Sequence, residues 1–263
     1  MNPLQSHFKL FSGMITLGAL IIGSAIASGQ TMWQMVHDEL YEVEREMETE
    51  VASQAALRSV AIVNRTRGWR KDITATIFWV GEEACRANPV HNKSSSWDRN
   101  WVLSYGGVDS PRKRNGFAPK FFKPKMNPFY IALPYNDIAP KGVGHKTEAA
   151  KVIWWYEDDY VNRYRSVCKG RWIAIEYGGK VCYAQWEDCG PFVTNDWEYV
   201  FQGKAPKKNR NDSAGIDLSP AIRDYLKLRS GEKVSWKFVE EDEVSRGPWS
   251  KWLRNNSVLT TNP

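Results

Sequence analysis

The 263-residue sequence lacks several features that would point directly to a function. It has no run of Lys and Arg long enough to form a nucleic-acid-binding arm, since its densest basic stretches, 111–114 and 206–210, lie among turn-forming residues. No two cysteines have the C-x-x-C spacing of a zinc site. We find no internal repeat and no low-complexity segment. We therefore expect no nucleic-acid partner, no metal and no cofactor, and we interpret the net charge of +6 as solvated loops. The alternative is that these loops contact a polyanionic surface.

The sequence also has little that could cross a membrane. Its main apolar run, from Phe11 to Ala27, contains three glycines and falls short of the ~20 strongly apolar residues of a spanning helix. The run follows His7 and Lys9 and ends in Ser-Ala-Ile-Ala-Ser, the pattern of a cleaved signal peptide. An uncleaved membrane anchor is the alternative. Either way we expect an exported, periplasmic or extracellular protein, and no cysteine follows the run to carry a lipid anchor.

What the chain does have, after residue 70, is short strands separated by turns. Residues 30–66 are predicted to be helical, with a thin apolar stripe typical of a spacer. Strands are expected at 72–80, 129–135, 172–177, 180–186 and 233–239, with a short helix at 219–227. The intervening segment 84–128 has the turn residues of a long loop but enough aromatic residues to be ordered. The pattern predicts a mainly β protein built on a small closed barrel. We divide the chain into a signal peptide (1–27), a helical spacer (28–70), a barrel domain (71–242) and a tail (243–263).

The best-defined local element is a hairpin turning at Gly178 and Gly179. Pairing Tyr177 with Lys180 would place Cys168 opposite Cys189, close enough for a disulfide bond. A bulge at Gly170 would break that register. Export permits disulfides, and this pairing leaves the other two cysteines to each other by subtraction, so the predicted bonds are Cys168–Cys189 and Cys85–Cys182.

Acidic residues at strand ends are the candidate chemical groups. Asp188 follows the hairpin, and further acids end other strands or lie in the turns beyond them: Asp137, Asp217, and Glu82 or Glu83. On one rim of a barrel such carboxylates would split into a protonated acid and an ionised partner. Glycosidic cleavage needs that pairing. In the hairpin register Asp188 shares an apolar face with Trp186, which favours a raised pKa. The alternatives are a capping or turn role for Asp217, a turn role for Asp137 and a solvated surface for Glu82 and Glu83.

Aromatic residues near these acids could stack on sugar rings. The sequence contains 13 tryptophans, and we expect one or two aromatics to line a groove while the others fill the core. The candidates nearest the acids are Trp79, Trp97, Trp101, Tyr135, Trp186 and Trp197.

Two motifs resemble the double-psi β-barrel of the rare lipoprotein A family. One is Asp188-x-Gly-Pro-Phe192, and the other is Gly215-Ile-Asp-Leu-Ser219 followed by a short helix. Looser similarities are Ala132-Leu-Pro-Tyr135 and Gly81-Glu82, and all four occur in the family's order over about 73–240. The resemblance implies a six-stranded double-psi barrel. It also implies a lytic transglycosylase of peptidoglycan or a related wall-glycan module such as an expansin or a family-45 endoglucanase.

The family's catalytic residues would correspond here to Asp188 and Glu82. Asp188 would serve as the general acid and then as the base, with Asp137 as a third catalytic candidate and with Asp217, Tyr135, Trp186, Trp97 and Trp101 binding the glycan. The sequence departs from the family at Glu187 and Cys189, in the length of 84–128, and in lacking its His before Leu-Pro. A non-catalytic polysaccharide-binding module is the alternative. An envelope protein whose helix docks a partner is a third hypothesis.

Overall fold

The computed structural model describes residues 31–85 and 88–252, without the side chains of residues 32, 35 and 54–67. The predicted signal peptide (1–27) and residues 253–263 of the predicted tail lie outside this range. The elements, in chain order, are α1 (Met32–Arg67), β1 (Arg70–Ile77), α2 (Trp101–Tyr105), β2 (Arg114–Asn115), β3 (Ala118–Pro119), β4 (Tyr130–Leu133), α3 (Ala149–Val152), α4 (Tyr156–Asp159), β5 (Trp172–Tyr177), β6 (Lys180–Cys189), α5 (Trp197–Gln202), β7 (Ile216–Leu218), α6 (Pro220–Leu226) and β8 (Lys233–Phe238). Three 3₁₀ turns lie at Pro140–Gly142, Glu241–Glu243 and Pro248–Trp252.

The described residues fall into two compact units that divide between Ala61 and Ile62. The first contains most of α1, on which Trp33, Leu40 and Met47 are exposed. No helix in the described part of the chain is both long enough and apolar enough to cross a membrane.

The second unit is a closed six-stranded barrel, as the sequence predicts. The strand order around the ring is β1-β7-β4-β6-β5-β8, and the parallel pairs are β1 with β7 and β4 with β6. The ring has two matching halves: if β1 is exchanged with β6, β4 with β7 and β5 with β8, every strand keeps the same neighbours. Each half of the ring therefore contains one parallel pair. Parallel pairs place their carboxyl ends on one rim, so the ends of β4 and β6 lie side by side.

Two apolar clusters hold the barrel and its insertion. The larger fills the interior with fully buried side chains that include Ile131, Ile173, Trp186, Leu218 and Trp236. The smaller lies outside the barrel wall and consists of Phe78, Val80, Trp101, Tyr105, Met126, Tyr130 and Ala132. It packs the segment after β1 against β4, so residues 88–128 are ordered by a core of their own, as the aromatic content predicts.

A buried ionic network fastens the same segment. Asp109 is fully buried, forms an ion pair with Arg114, and accepts a hydrogen bond from the Tyr130 hydroxyl at 3.0 Å. The Tyr130 hydroxyl in turn accepts the backbone N–H of Val80 at 3.0 Å. Burial raises the pKa of Asp109, and Arg114 opposes that shift. The network therefore fixes the backbone immediately before Gly81 and Glu82.

The β5–β6 hairpin has the predicted register. Tyr177 pairs with Lys180, and the pairing continues without interruption to Trp172 and Gln185. Beyond that point the register changes. Gly170 donates its N–H to the Trp186 carbonyl, and the Trp186 N–H donates to the Arg171 carbonyl, so two residues oppose one. Gly170 has a φ of 84°, the left-handed value that favours glycine in such a bulge.

Neither predicted disulfide is present, because all four cysteines are free. The bulge at Gly170 removes the register on which the Cys168–Cys189 pairing depended. Cys85 is exposed whereas Cys182 is buried, so these two thiols do not lie side by side as the second predicted bond requires. The Cys189 thiol instead donates a hydrogen bond to the Tyr135 carbonyl at 3.1 Å.

Candidate active site

The site begins at a bulge near the end of β6. Ile131 pairs with Trp186, but the next residue, Ala132, pairs with Asp188, so Glu187 is the extra residue. Directly paired residues point to the same side of a sheet, and successive residues in a strand point to opposite sides. Trp186 therefore points with Ile131 into the core, while Asp188 points with Ala132 the other way. The expectation that Asp188 and Trp186 share a face is wrong, and this bulge is the reason.

Asp188 is held by the segment that the insertion contributes. Its Oδ1 accepts the backbone N–H groups of Ser96 and Cys189, both at 2.7 Å. The side chain is 7% exposed. Burial raises the pKa of Asp188 from its usual 3.8 to about 6, and the two N–H donors oppose the shift. A carboxyl with this pKa exchanges its proton close to neutral pH.

Asp217 lies beside it on the short strand β7. This strand pairs with β1 through Thr76 and with β4 through Ala132, the residue that also faces Asp188. The Thr76 hydroxyl donates to Asp217 Oδ1. Burial is the main reason that the pKa of Asp217 is raised from 3.8 to about 7; the Thr76 hydrogen bond opposes the shift, and the charges of Asp188 and Glu82 add to it. The side chain therefore does not cap α6, which was the alternative interpretation.

Glu82 completes the group from the turn after β1. Two backbone hydrogen bonds join this turn to the insertion. The Asn92 N–H donates to the Glu82 carbonyl at 2.9 Å, and the Gly81 N–H donates to the Asn92 carbonyl at 2.7 Å. Asn92 Nδ2 also donates to Glu82 Oε2 at 2.8 Å. Burial raises the pKa of Glu82, and the Asn92 amide favours its charged form.

These three carboxylates line one open cleft of about 860 Å³. No Lys or Arg is among the described residues that line it. Phe192 lies at its edge, is 38% exposed, and has a φ of 57° that a bulky side chain rarely adopts. The Arg210 guanidinium lies over this ring, 5.6 Å from its centroid, so only the other face of Phe192 is open to a sugar ring. The motif Asp188-x-Gly-Pro-Phe192 contains this residue, but the sequence analysis did not assign it a role.

Asp137 is not part of the cleft. Its side chain is fully buried, accepts the Ser166 hydroxyl at 2.6 Å and the Val167 N–H at 2.8 Å, and lies 3.6 Å from His145 Nδ1. All of these partners belong to the polypeptide around it. Asp137 therefore ties two loops together, and this geometry gives no support to its prediction as a catalytic residue.

The predicted stacking residues are also mostly inside the protein. Tyr135, Trp186 and Trp101 have at most 1% of their surface exposed, because they fill the two apolar clusters. Trp97 is half-buried, packs edge-on against Trp186 with 5.7 Å between ring centroids, and donates through Nε1 to Asn136 at 2.8 Å. None of the four presents a free ring face to the cleft.

The same cleft offers little to a metal ion. Within residues 31–85 and 88–252, no group of three or more His, Cys, Asp or Glu side chains is arranged to hold one. The chemistry that the site's own residues support is proton transfer between carboxyl groups and a bound substrate.

Comparison with known proteins adds little to this geometry. No family model matches the chain, and no curated protein matches it. Among solved structures, the chain is similar to a Streptomyces papain inhibitor, with 17% sequence identity over 49% of this chain and 84% of that chain, and a TM-score of 0.22. A likeness at this level supports neither a particular fold nor a function for the chain.

Proposed function

We propose that the protein is exported and cleaves the glycan strands of a cell wall, peptidoglycan being the leading substrate, in the manner of a lytic transglycosylase. The observation that carries the proposal is the convergence of Asp188, Asp217 and Glu82 in one open cleft, with two pKa values raised to about 6 and about 7. Interacting carboxyls of this kind share protons, so the cleft holds both an acid and an anion near neutral pH.

The proposed reaction uses Asp188 twice. Protonated Asp188 gives its proton to the glycosidic oxygen as the bond from that oxygen to the sugar's C1 breaks. Ionised Asp188 then takes the proton of the same sugar's 6-hydroxyl as that oxygen attacks C1, which yields an anhydro sugar and regenerates the acid. Glu82, whose charged form the Asn92 amide favours, offsets the positive charge that develops on the sugar ring.

The test is release of soluble fragments from purified sacculi by the full chain. Asp188→Asn keeps the size of the side chain but cannot donate and recover a proton, so we expect release to fall by at least about 100-fold. Co-sedimentation with sacculi should be unchanged. The matched control is Asp212→Asn, which alters an exposed acid that does not line the cleft.

Two results would count against the proposal. Full release by Asp188→Asn would remove Asp188 from the reaction. Retained binding without release by the wild-type chain, across pH and substrates, would leave a non-catalytic polysaccharide-binding module.

A further inference from the structure

The acidic cleft continues into a second cavity with the opposite charge. This cavity has a volume of about 650 Å³ and shares Ser96 and Thr194 with the cleft. Ser96 is the residue whose N–H binds Asp188. A chain-like ligand that reaches Asp188 can therefore extend into the second cavity, which we call the basic arm.

Among the described residues, three cationic side chains, Arg99, Lys141 and Lys146, and no Asp or Glu line the basic arm. Arg99 and Lys141 are exposed and form no ion pair within residues 31–85 and 88–252. Exposed cations without a protein partner that face a shared cavity are available to a ligand.

Lys146 is the fixed member of the three. Its Nζ donates to the Thr194 carbonyl at 2.7 Å and lies 4.8 Å from the centre of the Tyr135 ring. Burial lowers the pKa of Lys146, and the nearby charges of Glu148 and Asp137 oppose that shift. A partly buried ammonium held at the junction of the two cavities marks where a negative group would sit.

We propose that the basic arm binds a carboxylate carried by the polysaccharide, and that the substrate is therefore an acidic glycan. This inference rests on the proposed function, since it extends the ligand that occupies the acidic cleft. The carboxylates of the acidic cleft would repel a negatively charged sugar, whereas the cations of the basic arm attract one, so we place the acidic sugar in the basic arm. The carboxylate can come from the lactyl group of muramic acid or from a uronic acid, and the experiment separates these sources.

The experiment measures binding of labelled oligosaccharides to the full chain carrying Asp188→Asn, so that turnover does not interfere. The ligands are peptide-free glycan strands with lactyl carboxylates, oligogalacturonate, and a version of each in which the carboxylates are amidated. We expect one carboxylated ligand to bind about five- to tenfold more tightly than its amidated partner at low salt. That preference should weaken as salt is added.

The decisive comparison is between two double variants in that background. Arg99→Gln with Lys141→Gln, which keeps Lys146, should reduce the preference by more than half while leaving binding of the amidated ligand unchanged. Lys113→Gln with Lys120→Gln removes the same charge from exposed residues that line neither cavity, and it should keep the preference.

Equal affinity for the charged and amidated ligands of both sources would overturn the proposal. Equal loss of preference in both double variants would overturn it too, because it would show a general effect of net charge. Failure of cleavage is a separate result, since binding preference is measured without turnover. Cleavage that is equally fast on charged and amidated strands would leave the proposed function standing without the basic arm.

Discussion

The barrel contains two kinds of buried carboxylate, and their surroundings differ. Asp109 and Asp137 are fully buried, and each is surrounded by partners from the chain, Arg114 and Tyr130 for one and Ser166, Val167 and His145 for the other. Asp188 and Asp217 line a cleft in which the described lining residues include no Lys or Arg. Burial raises the pKa of both members of the second pair into the neutral range.

This contrast distinguishes structural acids, which are carboxylates that stabilise the fold, from chemical acids, which are the carboxylates proposed to exchange a proton with a ligand. A buried carboxylate that is paired with other groups of the protein holds the fold together and has no contact with a ligand. A carboxylate that is desolvated without a cation keeps a proton that it can exchange with a ligand. Asp137, Asp188 and Asp217 are alike in the sequence, since each lies at or just beyond a strand, and only their partners distinguish them.

The largest expected effect on stability comes from breaking the buried ion pair between Asp109 and Arg114. Asp109→Ala leaves the buried Arg114 guanidinium with only Asp224, whose Oδ2 lies 3.6 Å from Arg114 Nε, as an ion-pair partner, so we expect the free energy of unfolding to fall by about 3 kcal/mol. Urea unfolding at neutral pH measures this change, with Asp212→Asn as an exposed control. A loss below about 1 kcal/mol would show that the Asp109 network does not hold the insertion.

The next effect has the opposite sign. The pKa of Asp188 is raised by folding, so the folded state binds its proton more tightly, and stability falls as the pH rises from 3.8 to about 6. Asp188→Asn removes the charge that causes this loss. We therefore expect the variant to be more stable than wild type by about 3 kcal/mol at pH 8 and to differ little at pH 4. Unfolding curves at the two pH values check this, and a destabilised variant at pH 8 would place Asp188 among the structural acids.

A smaller loss is expected at Asp137. Asp137→Ala leaves the Ser166 hydroxyl and the Val167 N–H without their acceptor, which should cost about 1–3 kcal/mol of unfolding free energy. Asp137→Asn keeps one acceptor oxygen and should lose less. If Asp137→Asn kept wild-type stability but lost sacculus cleavage, Asp137 would belong with the chemical acids after all.

The smallest expected effect is that of a reducing agent. With all four cysteines free, dithiothreitol should leave the melting temperature unchanged. Counting thiols in the denatured, unreduced protein provides the direct check and should give four. A count of two or fewer would restore a disulfide to the barrel.

The sequence was sufficient where the signal is local. The alternation of residues and the Gly178–Gly179 turn predicted the hairpin and its register, and the strand pattern with the Asp188 and Asp217 motifs predicted a closed barrel. These features depend on neighbours within a few residues. The same local signals predicted that 88–128 is ordered.

The rest depends on partners distant in sequence. The bulge at Glu187 exists because β6 pairs with β4, in which Ala132 lies 56 residues before its partner Asp188, and no local pattern predicts it. The structural role of Asp137 depends on Ser166 and Val167, and burial of the stacking candidates depends on how the barrel closes. Phe192 could have been found, because it ends the Asp188 motif, but its exposure follows from the corner that the motif makes.

The central claim, that the cleft holds carboxyls able to exchange a proton near neutral pH, is tested most directly by carbon-detected NMR titration of the aspartate side chains. The account predicts that the Asp188 and Asp217 carboxyl signals titrate near pH 6 and pH 7, assigned by their loss in Asp188→Asn and Asp217→Asn. Titration of both groups near the usual value of 3.8 would contradict it.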